Sequence, residues 1–365
     1  MAAKLAYHDT VNYSQADPIK VLAQKQGLLT QANMTAGFKE LPGTRGESAY
    51  VFSMGSTWGA LVQEGLGTKS LIAQSLFEQS GISYMPAIAQ DTVACIINDL
   101  ISVGATPVVL NAYWSSSSYA WLAQTDLAES FVSGWKNACD IARVVWGGGE
   151  TQALSGIVEK GRLEFAGSAF GVISDKSRLI QGQNLRAGDA IVLVESNGVH
   201  ANGVSLIREI ASGLPEGYNT KLADGTSYGE TVLRPTHIYT NLLEHLFARA
   251  IPVHYLSNIT GHGWRKIMRA TEEFSYVMHM TPDVPEIFKF IAQQSDNDEQ
   301  EMYGNYNMGA GYAVYVPADQ AETVIACAKE VGLEAWVAGS VERGPRRVSI
   351  EHKNIVFNAD SLEVR

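Results

Sequence analysis

A long, mostly apolar helix is expected around Ala89 to Val103, and within its stretch VACIINDLISVGA the pair Asn98 and Asp99 sits among largely apolar side chains. No other feature narrows the fold as much, because such a helix has to be covered by the rest of the protein while its buried carboxylate still needs a partner. Two partners fit: a bound metal ion, or a neighbouring backbone amide that the Asp caps. Asp91 stands eight positions earlier, a little over two turns away, so both carboxylates project from nearby faces and can reach one site.

Around this helix the pattern alternates between strand and helix periods. AYVFSM and WGALVQ read as strands, EGLGTK as a glycine turn and SLIAQSLFEQS as a helix; VVLNAYW is a strand, followed by a helix near Ala128 to Ala142. WGGGET reads as a second glycine turn and LEFAGSAFGVI as the strand that closes this half. The polar stretch from Ser174 to Asp189 reads as a linker, dividing the chain into 1–173 and 190–365. In the second half AIVLVES, SYVMHM and the closing GYAVYV are strands, and VSLIREIAS, TNLLEHLFARA and a segment near Val284 to Gln293 are helices. Helices and strands alternate without strict β-α-β units, which implies a mixed α/β (α+β) architecture. The first forty residues are polar, with a short helix expected near Pro18 to Gln26 and a turn-rich, lid-like LPGTRGES.

Five strings are candidates to carry chemistry. Glu64-Gly65-Leu66-Gly67-Thr68-Lys69 sets two glycines, a hydroxyl and a cation between strand and helix, the parts of a phosphate cradle, although it lacks the spacing of a P-loop and, taken alone, the string reads more readily as a plain glycine turn with a solvated lysine. Gly147-Gly148-Gly149-Glu150-Thr151 places a carboxylate behind residues that tolerate unusual backbone angles, so Glu64, Asp99 and Glu150 make a candidate set of hard oxygen ligands for Mg²⁺. The competing reading is acidic surface turns with no common focus. Asn197-Gly198-Val199-His200-Ala201-Asn202-Gly203 packs an imidazole and two amides ahead of a helix, suited to an anion or a proton transfer, or to a structural histidine. Ser257 to Gly263 (SNITGHG) and Asn305 to Gly311 are further glycine-punctuated loops.

Charge limits the partners. Lys+Arg 27 against Asp+Glu 38 gives a net charge of −11, which repels a nucleic acid backbone but leaves room for a small anion held by backbone N–H groups and a divalent cation. No run approaches the roughly 18 apolar residues of a membrane span, and Cys95, Cys139 and Cys327 read as reduced core thiols, so a cytoplasmic protein is expected.

Taken in order, EGLGTK, VACIINDLISVGATP, GGGETQALSG, NGVHANGVSLIR, LRPTHIY, NITGHGW and EMYGNYNMGAG resemble the aminoimidazole ribonucleotide synthetase (phosphoribosylformylglycinamidine cyclo-ligase) family from about Glu64 to Gly311. The resemblance implies two α/β domains, a homodimer sharing a barrel of N-terminal-domain strands, ATP and Mg²⁺, and a small phosphorylated substrate. It assigns Gly65, Gly67, Thr68, Lys69, Asp91, Asn98, Gly148, Gly149 and Thr151 to the nucleotide, and Glu64, Asp99 and Glu150 to the metal. To the substrate it assigns Asn202, Gly203, Thr260, Gly261, Gly263 and Asn307, with His200, Lys69 and Asp99 as catalytic groups, His200 moving a proton. The implied reaction converts formylglycinamidine ribonucleotide to aminoimidazole ribonucleotide in purine biosynthesis.

This chain departs from the family pattern at Glu64 and Glu164, where Asp is usual, at Ala112, where the family tends to an Asp, at His262, which interrupts a triple glycine, and in the amino-terminal GFKELPGTRGESAY. Alternative readings are a phosphotransferase of related architecture, of the thiamine monophosphate kinase or selenophosphate synthetase type, and a non-catalytic nucleotide-binding relative.

Overall fold

The computed structural model describes residues 5–10, 13–121 and 123–362. Two sheets organise it. Strands β1 (Lys39–Glu40), β2 (Tyr50–Met54), β3 (Thr57–Gly65), β4 (Thr106–Ser116), β5 (Val145–Ala153) and β6 (Leu163–Ile173) form the first, in the order β1-β2-β3-β6-β4-β5. The second holds β7 (Asp189–Glu195), β8 (Tyr255–Asn258), β9 (Phe274–Met278), β10 (Ala310–Pro317), β11 (Ala335–Arg343), β12 (Arg347–Ile350) and β13 (Ile355–Asn358), in the order β13-β12-β9-β11-β7-β10-β8. Pairing is antiparallel except at β4–β5 and β9–β12, which is the mixed α/β architecture that the alternating patterns predict.

The apolar helix spans Met85–Ile101, with Pro86 in its first turn, where the missing N–H costs nothing. It packs on β3 and β6 on one side, and on the helices Thr125–Ala142 and Thr240–Ala248 on the other. Being sandwiched between the two halves explains why it is apolar nearly all round. Strand β6 alternates buried and half-exposed residues, as a strand covered on one face should, whereas β7 in the middle of the second sheet is buried at six of seven positions.

Several local expectations need correction. WGGGET is not a turn but the middle of β5, because its glycines allow a close approach to β4. A Cβ on Gly149, whose φ is +155°, would stand 2.0 Å from the Ala112 carbonyl oxygen, next to a bulge between Leu110 and Asn111. GYAVYV does not close the fold: β10 lies between β7 and β8, and the chain goes on through the helix Ala321–Glu330 and three more strands. The helix expected near Pro18 to Gln26 is longer, Tyr13–Leu29, and a short one at Tyr7–Thr10 precedes it. SNITGHG is not one continuous loop, since Ser257 and Asn258 end β8 and Gly263 opens a 3₁₀ turn over Gly263–Met268. Among the described residues no helix is long and apolar enough to cross a membrane.

Candidate active site

A cleft of about 630 Å³ opens between the two sheets' outer loops. The first half supplies Glu64 and Gly65 from the end of β3, and Cys95 and Asp99 from one face of the helix Met85–Ile101. The second half supplies Asn202, Asn258, Thr260 and Gly261, then Lys266 and Arg269 from the 3₁₀ turn and its cap. Lys20 and Gln24 of the helix Tyr13–Leu29 cover one side. Asp99 is aimed by Asn258, whose Nδ2 donates to Oδ1 at 2.8 Å. Arg269 is fixed by donating to Ser48 Oγ at 2.7 Å and to the Gly46 carbonyl at 3.3 Å.

Two acids and two bases thus share a half-dry space, and their protonation shows it. Burial pushes the Glu64 carboxyl up to about 7, and the Asp99 charge adds to the rise. Burial, followed by Arg269, brings the Lys266 ammonium down to about 7 against the pull of Asp99 and Glu64. His262 is held at about 4, first by burial and then by Lys266, so its ring is neutral near pH 7.

Glu64 carries a stability consequence. Its folded value lies above the ordinary 4.5, so the ligand-free protein is stabilised through this group below about pH 4.5 and loses that stability as pH rises to about 7. Glu64→Gln is therefore expected to be about 1–2 kcal/mol more stable than the parent at pH 8 and no more stable at pH 4.5, as read by denaturant titration.

Lys69 and Asp91, expected at the nucleotide, lie elsewhere. Both are 0% exposed, and Lys69 Nζ stands 2.8 Å from Asp91 Oδ2 while donating to the Arg234 carbonyl at 3.1 Å. Asp91 Oδ1 accepts from the Thr236 amide at 2.8 Å and its hydroxyl at 2.5 Å. Asn98 donates to the His237 carbonyl and accepts from the Tyr239 amide. All three hold the segment LRPTHIY, tying the first half of the chain to the second. Asp91 shares its helix face with Cys95 and Asp99, as the spacing predicts, but lies beneath the second half's backbone rather than beside Asp99 in the cleft.

The remaining expected residues divide as follows. Gly67 (φ +75°) and Thr68 shape the turn behind Gly65, leading into the helix Lys69–Ser80. Gly148, Gly149, Glu150 and Thr151 ride on β5, the edge strand of the first sheet, and within this chain none of them lines the cleft. The expected convergence of Glu64, Asp99 and Glu150 therefore holds for the first two alone, and among the described residues no group of three or more His, Cys, Asp or Glu is placed to hold a metal ion. His200 is 2% exposed, its Nε2 accepts from the Asn197 amide at 3.2 Å, and burial drives it far below the usual imidazole range. The enclosed ring, bonded to its own loop, does not line the cleft and is placed to support that loop. Asn307 is likewise spent on Ser196, Gly309 and Gly198. Gly203 and Gly263 serve packing: a Cβ on Gly203 would stand 2.1 Å from the Tyr306 ring, and one on Gly263 2.4 Å from the Tyr303 carbonyl. Ala112, on the buried face of β4, also lies away from the cleft.

Sequence reasoning missed Lys20, Gln24, Cys95, Asn258, Lys266 and Arg269. One signal was available: three cations, Arg265, Lys266 and Arg269, follow NITGHGW within five residues.

Residues 46–173 match the family described as AIR synthase related protein, N-terminal domain, and residues 186–351 its C-terminal domain. The chain is similar to the phosphoribosylformylglycinamidine cyclo-ligase of Methanobrevibacter smithii, 30% identical over 305 residues (83% of this chain, 86% of the relative). It is 32% identical to that of Prochlorococcus marinus over 284 residues, 76% of this chain and 79% of the relative. In fold it is similar to the hydrogenase maturation protein HypE solved in complex with ATP, with a TM-score of 0.59 at 17% identity, covering 82% of this chain and 83% of that one.

Proposed function

The chain belongs to the AIR synthase related protein family, and from that footing we infer that it is an ATP-dependent cyclo-ligase converting formylglycinamidine ribonucleotide to aminoimidazole ribonucleotide. One observation carries the reading beyond similarity: two carboxylates of the first half, Glu64 and Asp99, face Asn202, Thr260 and Gly261 of the second half across a single cleft. A reaction that transfers a phosphoryl group between two bound phosphorylated molecules needs such a place, with acids on one wall and neutral donors and cations on the other.

In this reaction the formyl amide oxygen takes the γ-phosphoryl group of ATP, releasing ADP. The amidine nitrogen then closes the ring on the resulting imidate and phosphate leaves. Positioning dominates such chemistry, because ring closure is intramolecular once the substrate is folded against the wall. The residues fit a magnesium-bound nucleotide. Glu64 and Asp99 are mutually repelling carboxylates in a partly dry site, and Mg²⁺ on a nucleotide commonly takes one or two carboxylates, with phosphate and water completing its shell. When bound, Mg²⁺ would offset the charge on the transferring phosphoryl group. Asn258 keeps Asp99 turned toward that position. The Thr260 hydroxyl and the Gly261 amide are donors suited to phosphate oxygens, and Asn202 lies one residue ahead of the cap of the helix Val204–Gly213, whose N-terminus favours an anion. His200 acts as a positioning residue for the loop that carries Asn202.

The same reading includes a division into an N-terminal domain (1–173) and a C-terminal domain (190–365), a homodimer and a cytoplasmic setting. Support for the dimer comes from the first sheet, where β5 is an unpaired edge strand and Leu61, Val108 and Val145 are exposed.

The test supplies ATP and formylglycinamidine ribonucleotide to the purified protein and follows ADP and the imidazole product. Equimolar appearance of both is expected. ADP formed only with another phosphorylated acceptor would transfer the assignment to a phosphotransferase, and nucleotide binding without any ADP would leave a binding protein.

A further inference from the structure

We propose that Lys266 is the side chain that meets a phosphoryl oxyanion in the cleft, the task that the strand-turn-helix motif suggests for Lys69; this rests on the cleft being the cyclo-ligase site. Lys69 is not available for it. Its ammonium is fully enclosed and engaged by Asp91 and the Arg234 carbonyl, so releasing it would strand a buried carboxylate. Arg269 is also engaged, by Ser48 and the Gly46 carbonyl.

Lys266 differs from both. It lines the cleft, and among the described residues its ammonium has neither a hydrogen-bond nor an ion-pair partner. Its backbone is nonetheless fixed: the Lys266 carbonyl accepts from Ser257 Oγ at 2.7 Å and from the Arg269 amide at 3.1 Å. A pinned main chain with an uncommitted cation is the arrangement expected of a group waiting for an anionic ligand. Thr260 and Gly261 line the same cleft a few residues earlier in the chain and add neutral donors beside that charge. A lysine suits a phosphoryl group that moves, since it acts as a compact point charge with rotatable donors and not as a rigid fork.

The oxyanion has two sources, the terminal phosphate of the nucleotide or the ribose phosphate ester of the substrate, and the experiment separates them. Full-length Lys266→Met and Lys266→Arg proteins, each checked for a parental unfolding midpoint, are assayed for kcat and for KM toward ATP and toward formylglycinamidine ribonucleotide. Thermal shifts are measured in parallel with Mg-ATP and with ribose 5-phosphate. Lys266→Met is expected to lose at least tenfold in kcat/KM toward one of the two, with Lys266→Arg, which keeps the charge but not the compact head group, recovering part of the loss. A loss confined to ATP, together with a lost Mg-ATP shift, assigns Lys266 to the nucleotide; a loss confined to the ribonucleotide, together with a lost ribose 5-phosphate shift, assigns it to the phosphate ester. Constants and shifts within threefold of the parent would overturn the proposal while leaving the cyclo-ligase reading intact. Should the parent protein show no cyclo-ligase turnover, that reading fails, and the two thermal shifts still decide: a shift lost in Lys266→Met supports the role of Lys266, and a retained or wholly absent shift overturns it.

Discussion

Replacing Lys69 with methionine is expected to destabilise the protein by about 3–5 kcal/mol, because it leaves Asp91 as an uncompensated charge in a fully buried place. Methionine keeps the length of the side chain and most of its apolar contacts, so the loss reports charge and hydrogen bonding, not a cavity. The Arg234 carbonyl loses its donor as well. Joint replacement, Lys69→Met with Asp91→Leu, removes both charges and should recover part of the loss, since a buried pair exchanged for apolar groups is often close to neutral. Full recovery is not expected, because Asp91 also receives both the amide and the hydroxyl of Thr236. Denaturant unfolding of the parent, the two single variants and the double variant completes the cycle. If Lys69→Met unfolds within about 0.5 kcal/mol of the parent, the scatter of independent sites, the pair does not clamp the halves together.

How much of this was legible depended on whether the deciding contact was local. The apolar pattern around Asn98 and Asp99 announced a buried helix, and the strands of both halves followed from their alternation, because periodicity reports which face is covered. The family motifs marked which stretches matter. What the sequence could not supply was the direction of each side chain across the boundary between the halves. EGLGTK has the composition of a phosphate cradle, yet its lysine turns inward to Asp91, which in turn points at the backbone of Thr236, 145 positions further on. The triple glycine looked like a turn because glycine marks turns more often than it marks a close approach between strands; only the Ala112 carbonyl, 2.0 Å from where a Cβ on Gly149 would stand, explains it. His200 in a loop of glycines and amides had the composition of a catalytic segment, and its burial was invisible without the strand behind it: a Cβ on Gly311 of β10 would stand 2.5 Å from the His200 ring.

Asp99→Asn is expected to leave the fold intact and to lower kcat/KM for ATP by about 10²–10³, the range lost when one electrostatic stabiliser of a transition state is removed, here the Mg²⁺ that Asp99 would hold. The substitution isolates charge from structure. An asparagine can still accept the Asn258 hydrogen bond through its side-chain oxygen, so the geometry of that wall is retained. What disappears is one of the two negative charges that face each other in the cleft, and Asp99 is among the causes that raise Glu64. The ligand-free variant should therefore be at least as stable as the parent at pH 8, while the stabilisation conferred by Mg-ATP falls away, since a ligand stabilises only in proportion to its affinity for the folded state. Activity and stability moving in opposite directions is the signature of a charge held in place for a cation. A variant that loses stability along with activity would mean that Asp99 is there to support the loop of Asn258, and a variant that keeps the parental Mg-ATP shift would move the nucleotide out of this cleft.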